Sequence, residues 1–326
     1  MPLYQNATGA GIPAPAVLRP MNDTALLQYV AMIYNVVFAY ALDGVSYRLD
    51  PRLDGSFRPS VMQLMNWSSV IFSSSDLGGV TVSLAIPGSL AQVSPAVDLA
   101  VVKSFVDYFV VMEYGMQSMW PKALTAAPDL SIGNFASSAL QLQHAAGIPP
   151  EKIVATFGWE SLDFECAATH VSGSGTCHCR QTAPCRATDG ACTGLRCAPA
   201  ERGYGWALAQ LHSQNASGQI SASGYDGAVL APWFTYTVRP GREETAGGEA
   251  DDDDDEAEAL VSRQVWYSSP ESLAARYSFA KTSGFCGISM WSVSGACCGA
   301  PYALPAVGDA REMWAAVRQY VGEPRP

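Results

Sequence analysis

Residues 40–50 read YALDGVSYRLD, and this run contains the first of five strand-like segments that decide the fold. The other four are short apolar runs at residues 80–86, 108–114 (YFVVMEY), 152–157 (KIVATF) and 285–291 (FCGISMW). Segments of helical period separate them, and a last helix is predicted over residues 309–321. Apolar strands that alternate with helices are typical of a parallel sheet covered on both faces. The sequence therefore predicts an α/β fold.

Two segments interrupt this alternation within a main domain predicted over residues 22–322, which follows an irregular N-terminal segment, 1–21. Residues 166–200 carry six of the nine cysteines and are predicted to form a disulfide-rich loop. Residues 240–260 hold a run of acids and are predicted to be a disordered, solvated insertion. Its five successive aspartates lack the alternate spacing and the glycine turn of a calcium loop, so we expect no calcium site there.

The net charge of −11 comes almost wholly from the acidic insertion. Ten of the 30 acidic residues lie between Glu243 and Glu258, which leaves 20 acids against 19 bases elsewhere. No basic patch is therefore expected, and nucleic acid is not an expected partner.

The cysteines and four Asn-x-Ser/Thr sequons favour the secretory pathway, hence a lysosomal or extracellular location. Residues 1–20 do not form a signal peptide, which suggests that the true start lies upstream. Gln28 and Asn35 interrupt the apolar stretch 25–42, so a buried helix is favoured over a membrane span. The group Cys177-His178-Cys179 lacks the paired Cys-x2-Cys spacing of structural zinc sites, which favours disulfides. No metal or cofactor is expected.

Four of the five strand-like segments resemble motifs of glycoside hydrolase family 18, and within it most closely those of the di-N-acetylchitobiase subgroup. The run 40–50 resembles the fourth-strand signature D-x-x-D-x-D-x-E, and VVMEYG (110–115) resembles the sixth-strand Met-x-Tyr-Asp. KIVATFGWE (152–160) is similar to the seventh strand, while QVWYSSPES (264–272) and GISMW (287–291) match the approach to the eighth. The resemblance implies an incomplete (β/α)8 TIM-type barrel, roughly strands four to eight, because too few residues precede the match for three more βα units. Either the chain is an incomplete copy of a longer protein or another chain completes it.

The resemblance also implies a chemistry. In this family a fourth-strand glutamic acid protonates the glycosidic oxygen, and the 2-acetamido group of the substrate attacks the anomeric carbon. An aspartate two residues earlier orients that acetamide, a sixth-strand tyrosine donates a hydrogen bond to it, and an eighth-strand tryptophan forms the floor under the sugar. These groups lie at the carboxyl ends of the strands, where barrel active sites are found.

Transferred residue by residue, the match is uneven. Asp43, Met112, Tyr114 and Trp291 agree with the family. Asp50 stands at the position of the acid/base glutamate, Arg48 at that of the acetamide-orienting aspartate, Ser46 at an earlier acidic position, and Gly115 at the aspartate after the tyrosine. The candidate catalytic residues are thus Asp50 and Tyr114, and the candidate substrate-binding residues are Asp43, Met112, Trp159 and Trp291.

The altered signature predicts impaired hydrolysis. The Asp50 side chain is shorter than the glutamate of the family signature, so its carboxyl group is held farther from the glycosidic oxygen. A cation at Arg48 favours the carboxylate form of Asp50 and opposes the positive charge of the intermediate. A plain Arg48–Asp50 ion pair is an equally good interpretation. For Trp159 and Glu160, strand-end packing and sugar contact both remain open.

Three functional hypotheses follow. The first, by lineage, is a chitobiase-like or chitinase-like hydrolase of β-1,4-linked N-acetylglucosamine, impaired in catalysis. The second is a non-catalytic chitin-oligosaccharide-binding protein that retains Tyr114 and Trp291. The third is a truncated chain without independent activity, since an unclosed barrel exposes its edge strands.

Overall fold

The computed structural model describes residues 22–49, 53–73, 79–88, 93, 95–112, 142–144, 146–171, 177–184, 195–197, 200–227, 230–238, 260–291 and 307–322. The candidate residues Asp50 and Tyr114 lie outside the described residues, as do the N-terminal segment 1–21 and nearly all of the acidic insertion. Up to residue 158 the described elements are helix α1 (Asp23–Ala39), strand β1 (Gly44–Arg48), α2 (Arg58–Ser73), β2 (Thr81–Pro87), α3 (Leu99–Val102), β3 (Tyr108–Met112) and β4 (Ile153–Gly158), with helix and strand alternating as far as β3.

An antiparallel region follows β4 before the alternation resumes. Its elements are β5 (Glu160–Val171), β6 (Cys177–Cys179), β7 (Gln181–Pro184), β8 (Leu195–Cys197), β9 (Ala200–Gly203), α4 (Tyr204–Ala216), β10 (Ile220–Asp226), β11 (Ala231–Val238) and β12 (Val261–Tyr267). The chain then forms α5 (Pro270–Thr282), β13 (Gly287–Trp291) and α6 (Val307–Val321).

The five strands predicted from the sequence form one parallel sheet in the order β1-β2-β3-β4-β13. Among the described strands, β1 and β13 each have a single neighbour, so this sheet does not close into a barrel. The prediction of an α/β fold with an incomplete barrel is thereby confirmed.

Helices cover one face of this sheet because its strands turn their most apolar side chains towards them. Tyr47, Leu84, Phe109 and Ala155 alternate with smaller or polar residues and are buried in the main core. Phe157 packs its ring against Tyr277 of α5, with the centroids 5.6 Å apart. We call this side the helix face.

A buried hydrogen bond joins β1 to α2 across the helix face. The hydroxyls of Tyr47 and Ser68 lie 2.8 Å apart, and burial raises the pKa of Tyr47 to about 12. We expect Tyr47→Phe to lower the free energy of unfolding by about 1–3 kcal/mol, because it leaves the fully buried Ser68 hydroxyl without this partner. Urea unfolding measures the change, and the double variant Tyr47→Phe/Ser68→Ala serves as the control. It should recover part of the loss; a deficit no smaller than that of the single variant would contradict the role given to this bond.

The described part of the region between β4 and β13 contains a second sheet and a separate two-stranded sheet of β7 and β8, so strands occur within residues 166–200, where a loop was expected. Strands β10-β11-β12-β5-β6 lie in that order, with β9 also paired to β5, and all described pairings within it are antiparallel. Cys166 and Cys177 form a disulfide between β5 and β6, and Cys179 is also disulfide-bonded. The Cys166–Cys177 disulfide therefore links two paired strands of a sheet.

Two further sequence features take on a structural meaning. Asn22, one of the sequon asparagines, caps α1 by accepting a 2.9 Å hydrogen bond from the Ala25 amide. Asn66 lies within α2, where Ser68 of the same sequon is fully buried. Among the described residues, no helix, α1 included, is both long and apolar enough to cross a membrane.

Candidate functional site

The register of the parallel sheet identifies the side chains on the face opposite the helices. Arg48 of β1 pairs with Ala85 of β2, and two residues further along β2, Pro87 pairs with Met112. Met112 in turn pairs with Thr156 of β4 and Thr156 with Ser289 of β13, two residues before Trp291. Since paired residues of parallel strands point to the same side, Arg48, Met112, Thr156 and Trp291 share one face. We call it the inner face.

The central contact of the inner face joins the first and last strands of the sheet. The guanidinium carbon of Arg48 lies 5.7 Å from the centroid of the Trp291 ring, within cation–π range. Both residues stand at the carboxyl ends of their strands, and the sheet order places three strands between them. The sheet must therefore curve strongly enough to bring its two edges together around a concavity.

Both partners of this contact reach solvent. Trp291 leaves 45 % of its surface exposed, although large aromatic residues are usually well buried, and Arg48 is exposed as well. No described carboxylate forms an ion pair with Arg48; the Arg180–Glu165 and Arg263–Asp163 pairs lie in the antiparallel region. Asp50, the ion-pair partner considered from the sequence, lies outside the described residues.

Met112 and Thr156 form the interior of the inner face, side by side. Met112 is 6 % exposed and Thr156 is 3 % exposed. The hydroxyl of Thr156 has no hydrogen-bond partner among the described residues, which is uncommon for a buried polar group. Nothing in the family resemblance had pointed to Thr156; only the register of β4 places it here.

A carboxylate also lies on the inner face, at the carboxyl end of β4. A Cβ built on Gly158 would stand 2.9 Å from Oε1 of Glu160, so the Glu160 side chain lies over this glycine. Gly158 pairs with Trp291, so Glu160 is placed beside the tryptophan strand. A side chain at position 158 would displace this carboxylate.

Trp159 has a packing role. It is fully buried, its indole nitrogen donates a 2.9 Å hydrogen bond to the Tyr277 hydroxyl, and its ring meets Trp314 of α6 edge-on at 5.3 Å. Burial raises the pKa of Tyr277 to about 12. The backbone amide of Trp159 donates to the Trp291 carbonyl at 2.8 Å. Of the two interpretations left open by the sequence, this geometry favours strand-end packing that supports Trp291 over sugar contact.

Asp43 stands apart from this group. It precedes β1 at the amino end of the sheet and is exposed, and its carbonyl accepts a 2.9 Å hydrogen bond from the Thr81 amide. The structure therefore brings together Arg48, Met112 and Trp291 of the residues singled out in the sequence, and it does not bring Asp43 to the carboxyl edge. Among the described residues, no group of three or more His, Cys, Asp or Glu side chains could hold a metal ion.

Solved structures share this fold. The spore cortex-lytic enzyme SleL of Bacillus cereus is 18 % identical with a TM-score of 0.57, and the match covers 90 % of this chain and 53 % of SleL. The C-terminal domain of a putative chitinase from Desulfitobacterium hafniense is 17 % identical with a TM-score of 0.61, covering 92 % and 74 %. YKL-39, crystallised in the presence of chitooligosaccharides, is 12 % identical with a TM-score of 0.63, covering 93 % and 75 %.

At these identities the likeness establishes the fold alone. The chain spans about half of SleL and about three quarters of the other two structures. No protein-family model matches the chain, and no curated protein sequence does either. The parallel sheet with its helices nevertheless matches the fold of the chitinase structures.

Proposed function

We propose that this protein is a chitinase-like member of glycoside hydrolase family 18, most like the chitobiase subgroup, that binds N-acetylglucosamine oligosaccharides and has lost efficient hydrolysis. The observation that carries the proposal is the contact between Arg48 and the exposed ring of Trp291. An exposed aromatic ring in a concave face, with few polar groups around it, is the usual composition of a ligand site. The YKL-39 structure, obtained with chitooligosaccharides present, supports saccharide binding on this fold.

Arg48 also supplies the reason for the lost hydrolysis. In the family signature its position belongs to an aspartate that stabilises a developing positive charge. A guanidinium is a permanent cation, so it raises the energy of that charge, and it holds a neighbouring carboxylic acid in its ionised form. Asp50, as the shortened acid/base residue, would then be both withdrawn and deprotonated.

Retained hydrolysis of β-1,4-linked N-acetylglucosamine is the second candidate function. The carboxylate of Glu160 favours it, because it supplies an acid on the inner face beside the strand of Trp291. Neighbouring structures named as chitinases agree with this alternative. A turnover assay separates the two candidates.

We further propose a lysosomal or extracellular location. The Cys166–Cys177 disulfide supports it, since disulfides persist in oxidising compartments. The expectation of a secretory protein rests on this bond together with the sequons.

We expect Trp291→Ala to weaken the binding of tetra-N-acetylchitotetraose by at least about tenfold, because the variant loses the apolar contact of an indole, worth about 1.5 kcal/mol or more. Isothermal titration calorimetry measures this. Phe38→Ala is the matched control, since Phe38 is an exposed aromatic residue on α1 at the helix side of the sheet. Equal affinities for wild type and Trp291→Ala, or an equal loss in Phe38→Ala, would remove the support for this site.

A further inference from the structure

The inner face presents the cation Arg48 beside Trp291, and a neutral oligosaccharide offers it hydrogen-bond acceptors but no opposite charge. We propose that Arg48 and Trp291 together recognise an acidic N-acetylhexosamine oligosaccharide, one whose sugar next to the N-acetylhexosamine carries a carboxylate. This inference rests on the proposed function and names its ligand class. The ring of the sugar would contact Trp291, and its carboxylate would bind the Arg48 guanidinium.

The first argument is that the Arg48 guanidinium is accessible to an anionic ligand. It is exposed at the carboxyl end of β1, and no described carboxylate is paired with it. Other cations are engaged, as Arg263 is with Asp163 at 2.7 Å and Lys152 is with two backbone carbonyls. Among the described residues this arginine has no carboxylate partner, and it lies where the first and last strands of the sheet approach each other.

The second argument concerns the donors of Arg48. Its contact with the Trp291 ring uses the positive charge of the guanidinium and does not consume its N–H groups. These donors form a rigid fork that matches a carboxylate in a two-bond arrangement. The stacking also restricts the side chain, so less conformational freedom is lost when an anion binds.

The third argument is that the contact leaves room for a ligand. Trp291 keeps 45 % of its surface exposed while Arg48 lies against its ring. A sugar can therefore reach the indole without displacing the guanidinium. The buried Thr156 hydroxyl, which has no hydrogen-bond partner among the described residues, lies on the same face, one register row from Trp291.

Calorimetry with matched oligosaccharides tests the inference. The neutral probes are di- and tetra-N-acetylchitooligosaccharides. The acidic probes are a hyaluronan tetrasaccharide, whose carboxylate is that of a uronic acid, and the disaccharide of N-acetylglucosamine and N-acetylmuramic acid, whose carboxylate is on a lactyl group. Comparison of these two tells which carboxylate position fits. The proteins are the full chain, Arg48→Gln, Arg48→Lys and the control Arg180→Gln, which removes an exposed cation from the antiparallel region.

We expect wild type to bind at least one acidic probe about tenfold to a hundredfold more tightly than the neutral probe of equal length. Arg48→Gln should abolish this preference, Arg48→Lys should retain part of it, and Arg180→Gln should behave as wild type. If tetra-N-acetylchitotetraose binds through Trp291 but neither acidic probe binds more tightly, the inference is wrong and the proposed function stands. A preference that persists in Arg48→Gln also overturns the inference. If no oligosaccharide binds, both fail.

Discussion

Replacing Arg263 with methionine is expected to lower the free energy of unfolding by about 3–5 kcal/mol, because the change leaves a buried carboxylate without its cation. Asp163 of β5 is 3 % exposed and receives two contacts from Arg263 of β12, at 3.0 Å to Oδ1 and 2.7 Å to Oδ2. The two residues belong to neighbouring strands of the antiparallel sheet. Urea unfolding, followed as a cooperative transition, measures the loss.

The chain offers a matched control for this prediction. Arg180 and Glu165 make an ion pair of the same 2.7 Å length, but the Arg180 side chain is 63 % exposed. Arg180→Met should therefore cost less than about 1 kcal/mol. The double variant Asp163→Leu/Arg263→Met should recover most of the loss, since no buried charge remains. If Arg263→Met and Arg180→Met lowered the free energy of unfolding equally, burial would not govern the strength of these ion pairs.

The loss in Arg263→Met should also depend on pH. Burial raises the pKa of the Asp163 carboxyl, and the Arg263 guanidinium opposes that rise. Without Arg263 the folded-state pKa rises further above its unfolded value, so the protonated acid is favoured in the folded protein. The loss of stability in Arg263→Met relative to wild type should be smallest at pH values below the carboxyl pKa of the unfolded chain. It should grow as the pH rises through the Asp163 pKa of the folded protein. A deficit that is equal at pH 4 and pH 7.5 would contradict this assignment.

Restoring two residues of the family signature is expected to have the largest effect on activity. We expect wild type to release fluorophore from a chitobiose glycoside at least about 10⁴-fold more slowly than an intact family 18 enzyme, since the acid is both misplaced and ionised. The double variant Arg48→Asp/Asp50→Glu should raise the rate by roughly a hundredfold or more, because it returns the acid to its length and removes the opposing cation.

The single variants show which change matters more. Asp50→Glu alone should gain less than the double variant, since Arg48 still holds the new acid ionised. Turnover by wild type near that of an intact relative would refute the proposed loss of hydrolysis. If the double variant shows no gain, the match of residues 40–50 to the fourth-strand signature is wrong.

The parallel sheet was predictable because each of its strands is a nearly continuous apolar run. The fully buried residues include Phe109, Val111, Ile153 and Ala155. An apolar run of this kind predicts a buried strand even when the adjacent strands are unknown. The order of strands follows from the usual adjacency of consecutive βα units. The family resemblance adds the carboxyl edge as the place of the site.

The antiparallel sheet was not predictable in the same way. Strand β5 alternates apolar with polar residues, and two of the polar ones, Ser161 and Asp163, are buried; Asp163 pairs with Arg263 of β12. On β12, the buried Gln264 side chain donates to the Thr235 hydroxyl at 3.0 Å. A charge in a strand looks solvent-exposed until its cross-strand partner is known. The cysteines and glycines of residues 166–200 are likewise typical of a loop as long as the strands that pair with this segment are unknown.

The central contact of the site, between Arg48 and Trp291, could be predicted only in part. Alternation along β1 predicts that Arg48 and Asp50 share a face, and the resemblance places Trp291 near them, but the direct contact of Arg48 with Trp291 depends on the curvature of the sheet. Likewise, the buried packing of Trp159 against Tyr277 and Trp314 requires two helices that follow it by more than a hundred residues.

A crystal structure of the protein with tetra-N-acetylchitotetraose tests the account most directly. We predict that a sugar ring lies against the indole of Trp291 on the inner face, with Arg48 beside it and the side chains of Asp50 and Tyr114 turned towards the same ring. An oligosaccharide bound on another surface, or Asp50 and Tyr114 directed away from Trp291, would contradict both the site and the family assignment.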